Sequence, residues 1–69
     1  MKLSTRNILK GKVIEVKEGV VMAKVKVDVG AGNVLTSLIS LEAVKDLDVK
    51  VGDPIHVLIK ATSVMLAKE

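Results

Sequence analysis

The sequence predicts an all-β fold, a five-stranded OB-like barrel with one short helix between strands 3 and 4. Three observations carry this. Valine and isoleucine supply 18 of the 69 residues, and β-branched side chains favour a pleated surface. Apolar and polar residues alternate with a period of two through the middle of the chain. The elements follow one another as three strands, a helix and two strands, the order of an OB-type barrel.

The first strand is expected over residues 8–18, where Ile8, Leu9, Val13, Ile14 and Val16 mix with lysines and Gly11 suggests a bulge or bend. Glu18-Gly19 makes a turn. Val21, Ala23, Val25, Val27 and Val29 then alternate with Met22, Lys24, Lys26 and Asp28 as the second strand. Gly30-Ala31-Gly32-Asn33 reads as a hairpin connection. The third strand, residues 34–39, is apolar on both faces, with Val34 and Leu38 on one and Leu35 and Ile39 on the other. That pattern marks a strand covered on both sides and a candidate subunit contact. Ser40 is placed to cap a helix over residues 41–47, with Leu41 and Val44 on one side. Gly52-Asp53-Pro54 turns into the fourth strand, where Ile55, Val57 and Ile59 alternate with His56 and Leu58. After the polar step at Thr62-Ser63, residues 64–67 form the expected fifth strand.

Residues 1–69 make one small domain, without internal repeat or linker. At this size a compact monomer exposes roughly 4,200 Å² and its extended chain roughly 10,600 Å², so only about 60% of the surface is buried. Domains this small generally need disulfides, a metal or self-association. Cysteine is absent and His56 is the sole histidine, which excludes a disulfide and a structural zinc site. Apolar residues reach 49% with no Phe, Tyr or Trp, more apolar surface than one small core hides. Self-association remains.

The net charge of +3, from 11 basic and 8 acidic residues, raises the alternative of an OB-type nucleic-acid-binding module. Single-strand binders stack bases on aromatic side chains, which this chain lacks, and its lysines are scattered. A purely structural oligomerisation domain is the third reading. No run approaches the roughly 20 apolar residues of a membrane span. The N-terminus lacks the apolar stretch of a signal peptide, so the expected location is cytoplasmic.

No catalytic set emerges, and the protein is read as a binder rather than an enzyme. There is no cysteine nucleophile and no serine–histidine–aspartate order, and Asp46 and Asp48 read as a solvated turn. Gly30-Ala31-Gly32 lacks the following glycine and helix of a dinucleotide loop. His56 reads as a partly exposed or interface residue, and Met1, Met22 and Met65 as core or interface filler.

Two donor-rich clusters stand apart. Ser4-Thr5-Arg6-Asn7 precedes the first strand, and Lys60-Ala61-Thr62-Ser63 sits between the last two. Hydroxyls, backbone N–H groups, one guanidinium fork and one ammonium together suit the oxygens of a small tetrahedral dianion. Taken singly, each cluster is also ordinary turn chemistry.

Ser4-Thr5-Arg6-Asn7 with Leu9-Lys10-Gly11-Lys12-Val13 resembles the S-A-R-N-x-[LI]-x-G-x-[IV] opening of the molbindins, the Mop or TOBE-type molybdate-binding domains. Val29-Gly30-Ala31-Gly32-Asn33-Val34 and Ile59-Lys60-Ala61-Thr62-Ser63-Val64-Met65-Leu66 are similar to later family segments, in order and at family spacing. The resemblance implies a cytoplasmic store for molybdate or tungstate, with no catalytic cofactor, no nucleic acid and no membrane partner. It implies a homohexamer, a trimer of dimers, with the anion between subunits. Carried over, Ser4, the Thr5 N–H and Arg6 of one chain would face Lys60, the Ala61 N–H and Thr62 of a neighbour. Thr5 stands where the family has alanine and Thr62 where serine is common. A second oxyanion site near a three-fold axis would fall at the Gly19-Val20 turn.

Overall fold

The computed structural model describes residues 4–69; Met1, expected as filler, lies outside the described residues. Strands β1 (Asn7–Glu18), β2 (Met22–Gly30) and β3 (Asn33–Ser40) are followed by helix α1 (Leu41–Leu47) and strand β4 (Pro54–Ile59). The all-β class and the single helix between strands 3 and 4 agree with the sequence. The strands form one four-stranded sheet in the order β3-β2-β1-β4, and each neighbouring pair is antiparallel.

The period of two in β2 sets the inner face. Ala23, Val25 and Val27 are buried, and they are joined by Val13, Val44 and Val49. Val16, Val29, Ile39, Ile55 and Val57 pack around them, half-buried. The outer face carries the lysines, but also exposed apolar residues. Leu38, on the second apolar face of β3, is 68% exposed, so the cover expected for that strand does not come from its own chain.

The irregularity in β1 is not at Gly11. Gly11 pairs regularly with Ile55, and the register shift falls between Val13 and Glu15, where Ile14 is the extra residue. This bulge lets Val13 and Val16 both point inward although they are three positions apart. Gly11 is needed for another reason: a Cβ there would overlap the Val27 side chain and lie 2.8 Å from the Asp28 carbonyl oxygen.

The β2–β3 hairpin closes through Ala31 and Gly32, at φ 53 and 78. Two positive values in a two-residue loop match a type I′ turn. The Gly30 N–H donates to Asp28 Oδ1 at 2.8 Å and steadies the entry to the turn. Ser40 caps α1 as its side chain predicted, with Oγ accepting from the Ala43 N–H at 3.0 Å. Val44 is the buried residue of the helix and Leu41 is half-buried. The turn before β4 is tied to β1, because Val13 N–H donates to the Asp53 carbonyl at 2.9 Å and Gly52 N–H to the Val13 carbonyl at 2.8 Å.

Among the described residues no fifth strand is present. After β4 a 3-10 turn, Ala61–Ser63, leads into residues 64–69, which are exposed and belong to no ladder. The sheet is therefore open between the edges of β3 and β4. The gap is an apolar groove of about 230 Å³, lined by Val25, Val27, Ile39, Val49, Ile55 and Val57 among others.

Two substitutions test these assignments by urea unfolding. Gly11→Ala should destabilise the protein by about 1–3 kcal/mol through overpacking against β2. Ala31→Asn, which tolerates positive φ better, should raise stability by up to about 1 kcal/mol.

Candidate functional site

The site begins at the last rung of the β1–β4 ladder. Asn7 pairs with Ile59, and Asn7 Nδ2 donates to the Ile59 carbonyl at 3.1 Å. Beyond that rung both strands leave the sheet at the same end, β1 toward Arg6, Thr5 and Ser4, and β4 toward Lys60, Ala61 and Thr62. The two donor clusters, 53 or more positions apart in sequence, are thus neighbours within one chain.

The donors at this end are available. Ser4, Arg6, Lys60, Ala61 and Thr62 are exposed and Thr5 is half-buried. Among the described residues the ion pairs are Lys24–Glu15 and Lys50–Asp48, so neither Arg6 nor Lys60 has a carboxylate partner. Two cations at one sheet end without an acid between them make an attractive seat for an anion. The 3-10 turn uses the N–H groups of Ser63 and Val64, which donate to the Lys60 and Ala61 carbonyls at 2.8 and 3.3 Å. The N–H groups of Ala61 and Thr62 make no backbone hydrogen bond among the described residues, as is usual at the start of a helical turn.

Gly19 and Val20, the second candidate oxyanion site, lie at the opposite end of β1. Gly19 N–H donates to the Met22 carbonyl at 2.8 Å, and Val20 is 93% exposed. Val20, with Val21, lines a shallow depression shared with Leu41, Glu42, Lys45 and Asp46 of α1. The structure does not bring them near Arg6 or Lys60. His56 is exposed on the outer face, across from Lys10. Among the described residues no cluster of three or more His, Cys, Asp or Glu side chains could hold a metal ion. Among them, too, no helix is long and apolar enough to cross a membrane. Asn7 is not singled out by the sequence reading. It stands in the opening motif, but only the register shows that its amide joins the two segments.

The model of the TOBE domain matches residues 3–66. The chain belongs to the TOBE domain family. This TOBE domain is 54% identical to a probable molybdenum-pterin-binding protein of Haemophilus influenzae, over 100% of both chains. Its fold matches a molybdate binding protein from Sporomusa ovata with a TM-score of 0.92 at 41% identity, covering 99% of this chain and 100% of that one. It also matches the cytoplasmic molybdate-binding protein ModG, in a form with molybdate bound, at a TM-score of 0.89 and 38% identity; 94% of this chain and 46% of that one are covered. The likeness to the molbindins seen in three motifs therefore extends along the TOBE domain as a whole.

Removing the amide that ties the two segments should loosen this end of the sheet. Asn7→Ala is expected to cost about 1 kcal/mol of stability, the net worth of one hydrogen bond. Hydrogen exchange should speed up at the ends of β1 and β4 while the β2–β3 hairpin keeps its protection.

Proposed function

We propose that this TOBE domain, acting as a single unit over residues 1–69, binds molybdate or tungstate and stores it in the cytoplasm without catalysing a reaction. The observation that carries the reading is the β1–β4 register, which delivers Ser4, Thr5 and Arg6 to the same end as Lys60, Ala61 and Thr62. Its relatives' molybdenum and molybdate binding supports the choice of anion. The Arg6 fork and the Lys60 ammonium supply charge-assisted bonds, while the Ser4 and Thr62 hydroxyls and the Thr5 and Ala61 N–H groups complete a shell of donors.

Such a shell selects by size and protonation. Sulfate carries the same charge but is smaller, so a rigid cage sized for molybdate leaves it with long bonds. Phosphate at neutral pH keeps a proton, and a cage built of donors offers that proton no acceptor. Molybdate and tungstate are nearly isosteric, and nothing in the donor set separates them.

In our reading the cage is completed between subunits of a homohexamer, a trimer of dimers. One chain holds nearly all of these donors open to water, where hydration competes with every bond. A neighbour's matching end would exclude that water and add its own donors. A second oxyanion site at Gly19 and Val20 belongs to the same proposal.

Calorimetric titration with molybdate, tungstate, sulfate and phosphate tests the reading, with molybdate and tungstate binding far more tightly. Arg6→Lys should lose more than tenfold in affinity, nearly as much as Arg6→Ala, because a point charge cannot replace a planar fork. A parent that binds all four anions alike, or Arg6→Ala protein that binds like the parent, rules out this site. Subunit sharing is read separately by co-refolding Arg6→Ala with Lys60→Ala chains. Each mixed pair regains one intact site if Arg6 of one chain serves with Lys60 of the other, and none if each site lies within a chain.

A further inference from the structure

Asn7 stands where a strand former is expected. Counted along β1, it falls on the same side as Leu9, Gly11 and the buried Val13, and asparagine is among the residues that strands disfavour. Its backbone occupies the last rung of the β1–β4 ladder, opposite Ile59, and both residues are half-buried. The end of a ladder frays more readily than its middle. Here the side chain holds it, with Asn7 Nδ2 donating to the Ile59 carbonyl at 3.1 Å. Among the described residues this is the one side-chain hydrogen bond that joins two strands.

The place of the bond decides what it controls. The next residue outward on β1 is Arg6, and the next on β4 is Lys60. Neighbouring strands lie about 5 Å apart, so a clamp at this rung delivers two cations side by side. Neither has a carboxylate partner among the described residues, and like charges so close repel each other. The Asn7 amide opposes that splaying before any anion arrives. Arg6 and Lys60 stay exposed, so the brace spends none of the donors it sets in place. Groups held in position in advance bind without the cost of ordering them.

We propose that Asn7 is the positioning residue of the anion site: its amide fixes the separation of the Arg6 and Lys60 segments, and with it the choice between a larger and a smaller tetrahedral dianion. This role rests on the function proposed above. It applies to a cage within one chain and to one shared between chains, because each chain presents its two segments as a braced unit. Molybdate and sulfate share charge and shape and differ in size. Donors held at a set distance tell them apart, whereas donors free to close in satisfy the smaller anion as well.

The test replaces Asn7 with leucine, which is similar in size, is apolar like Leu9 on the same face, and cannot donate. Molybdate affinity is measured by calorimetric titration and sulfate affinity by displacement of molybdate. The parent, Asn7→Leu and a reference variant, Val44→Ala, are compared; the reference truncates a buried core side chain. Asn7→Leu should bind molybdate about fivefold more weakly, the worth of one hydrogen bond. Its sulfate affinity should be unchanged or raised, so the preference for molybdate falls by at least the same factor. Val44→Ala should unfold at lower urea and keep the parental preference. An unchanged preference in Asn7→Leu overturns the proposal. So does an equal fall for both anions, which marks Asn7 as a direct ligand or a general support. A loss of preference as large in Val44→Ala assigns the effect to stability and overturns it too. A parent that prefers neither anion overturns the storage function first, whereas a selective parent with an equally selective Asn7→Leu removes the positioning role alone.

Discussion

Five valines and one alanine are the residues buried outright among those described, and every other feature follows from how little that core can cover. Small branched side chains fill a pleated surface well, but they do not reach across a barrel as an aromatic ring does. The sheet is open between its edge strands β3 and β4, with an aliphatic groove where a closed barrel would have its fifth strand. Apolar residues that a larger core would absorb remain exposed on both ends of the chain's hydrophobic pattern, from Val20 and Val21 to Met65 and Leu66. For a chain of 69 residues without cysteine, association with other copies would remove that surface from water.

Strand β1 organises what the core does hold. It pairs with β2 along one edge and β4 along the other, so it sits at the centre of the sheet's register. Its two irregular demands are local. Gly11 allows β2 to pass close by, and the extra residue at Ile14 turns Val13 and Val16 to the same face. The turn before β4 is held to Val13 by two backbone hydrogen bonds, so the bulge also sets where β4 starts. A shift of one residue in either ladder would turn the aliphatic face outward, and a shift in the β1–β4 ladder would also separate Arg6 from Lys60.

Much of this was legible in the sequence, because local chemistry decides it. The alternation in β2, the Ser40 cap and the glycine-rich hairpin each depend on residues within a few positions of one another. Gly11 was recognised as special, but for a bulge that lies three residues further on. A glycine required by a bend and one required by a passing strand look alike until the neighbour, here Val27 and Asp28, is known. The fifth strand is expected from the apolar run at residues 64–67, which reports that a segment suits a sheet and not that a ladder takes it in. At the site, residue types revealed the donors, whereas their adjacency needed the Asn7–Ile59 rung, a pairing across 52 positions that no local pattern encodes.

That rung also governs how such a domain can be built into larger chains. Because β1 and β4 are antiparallel neighbours, the polypeptide enters and leaves the sheet at one end, through the segments before Asn7 and after Ile59. A second domain attached at either point extends from that end and leaves the ladders undisturbed. Two such units joined in tandem would bring their donor-bearing ends toward each other, so covalent duplication could take the place of encounter between separate chains. The ModG chain, of which this domain covers 46%, has the length for two such units.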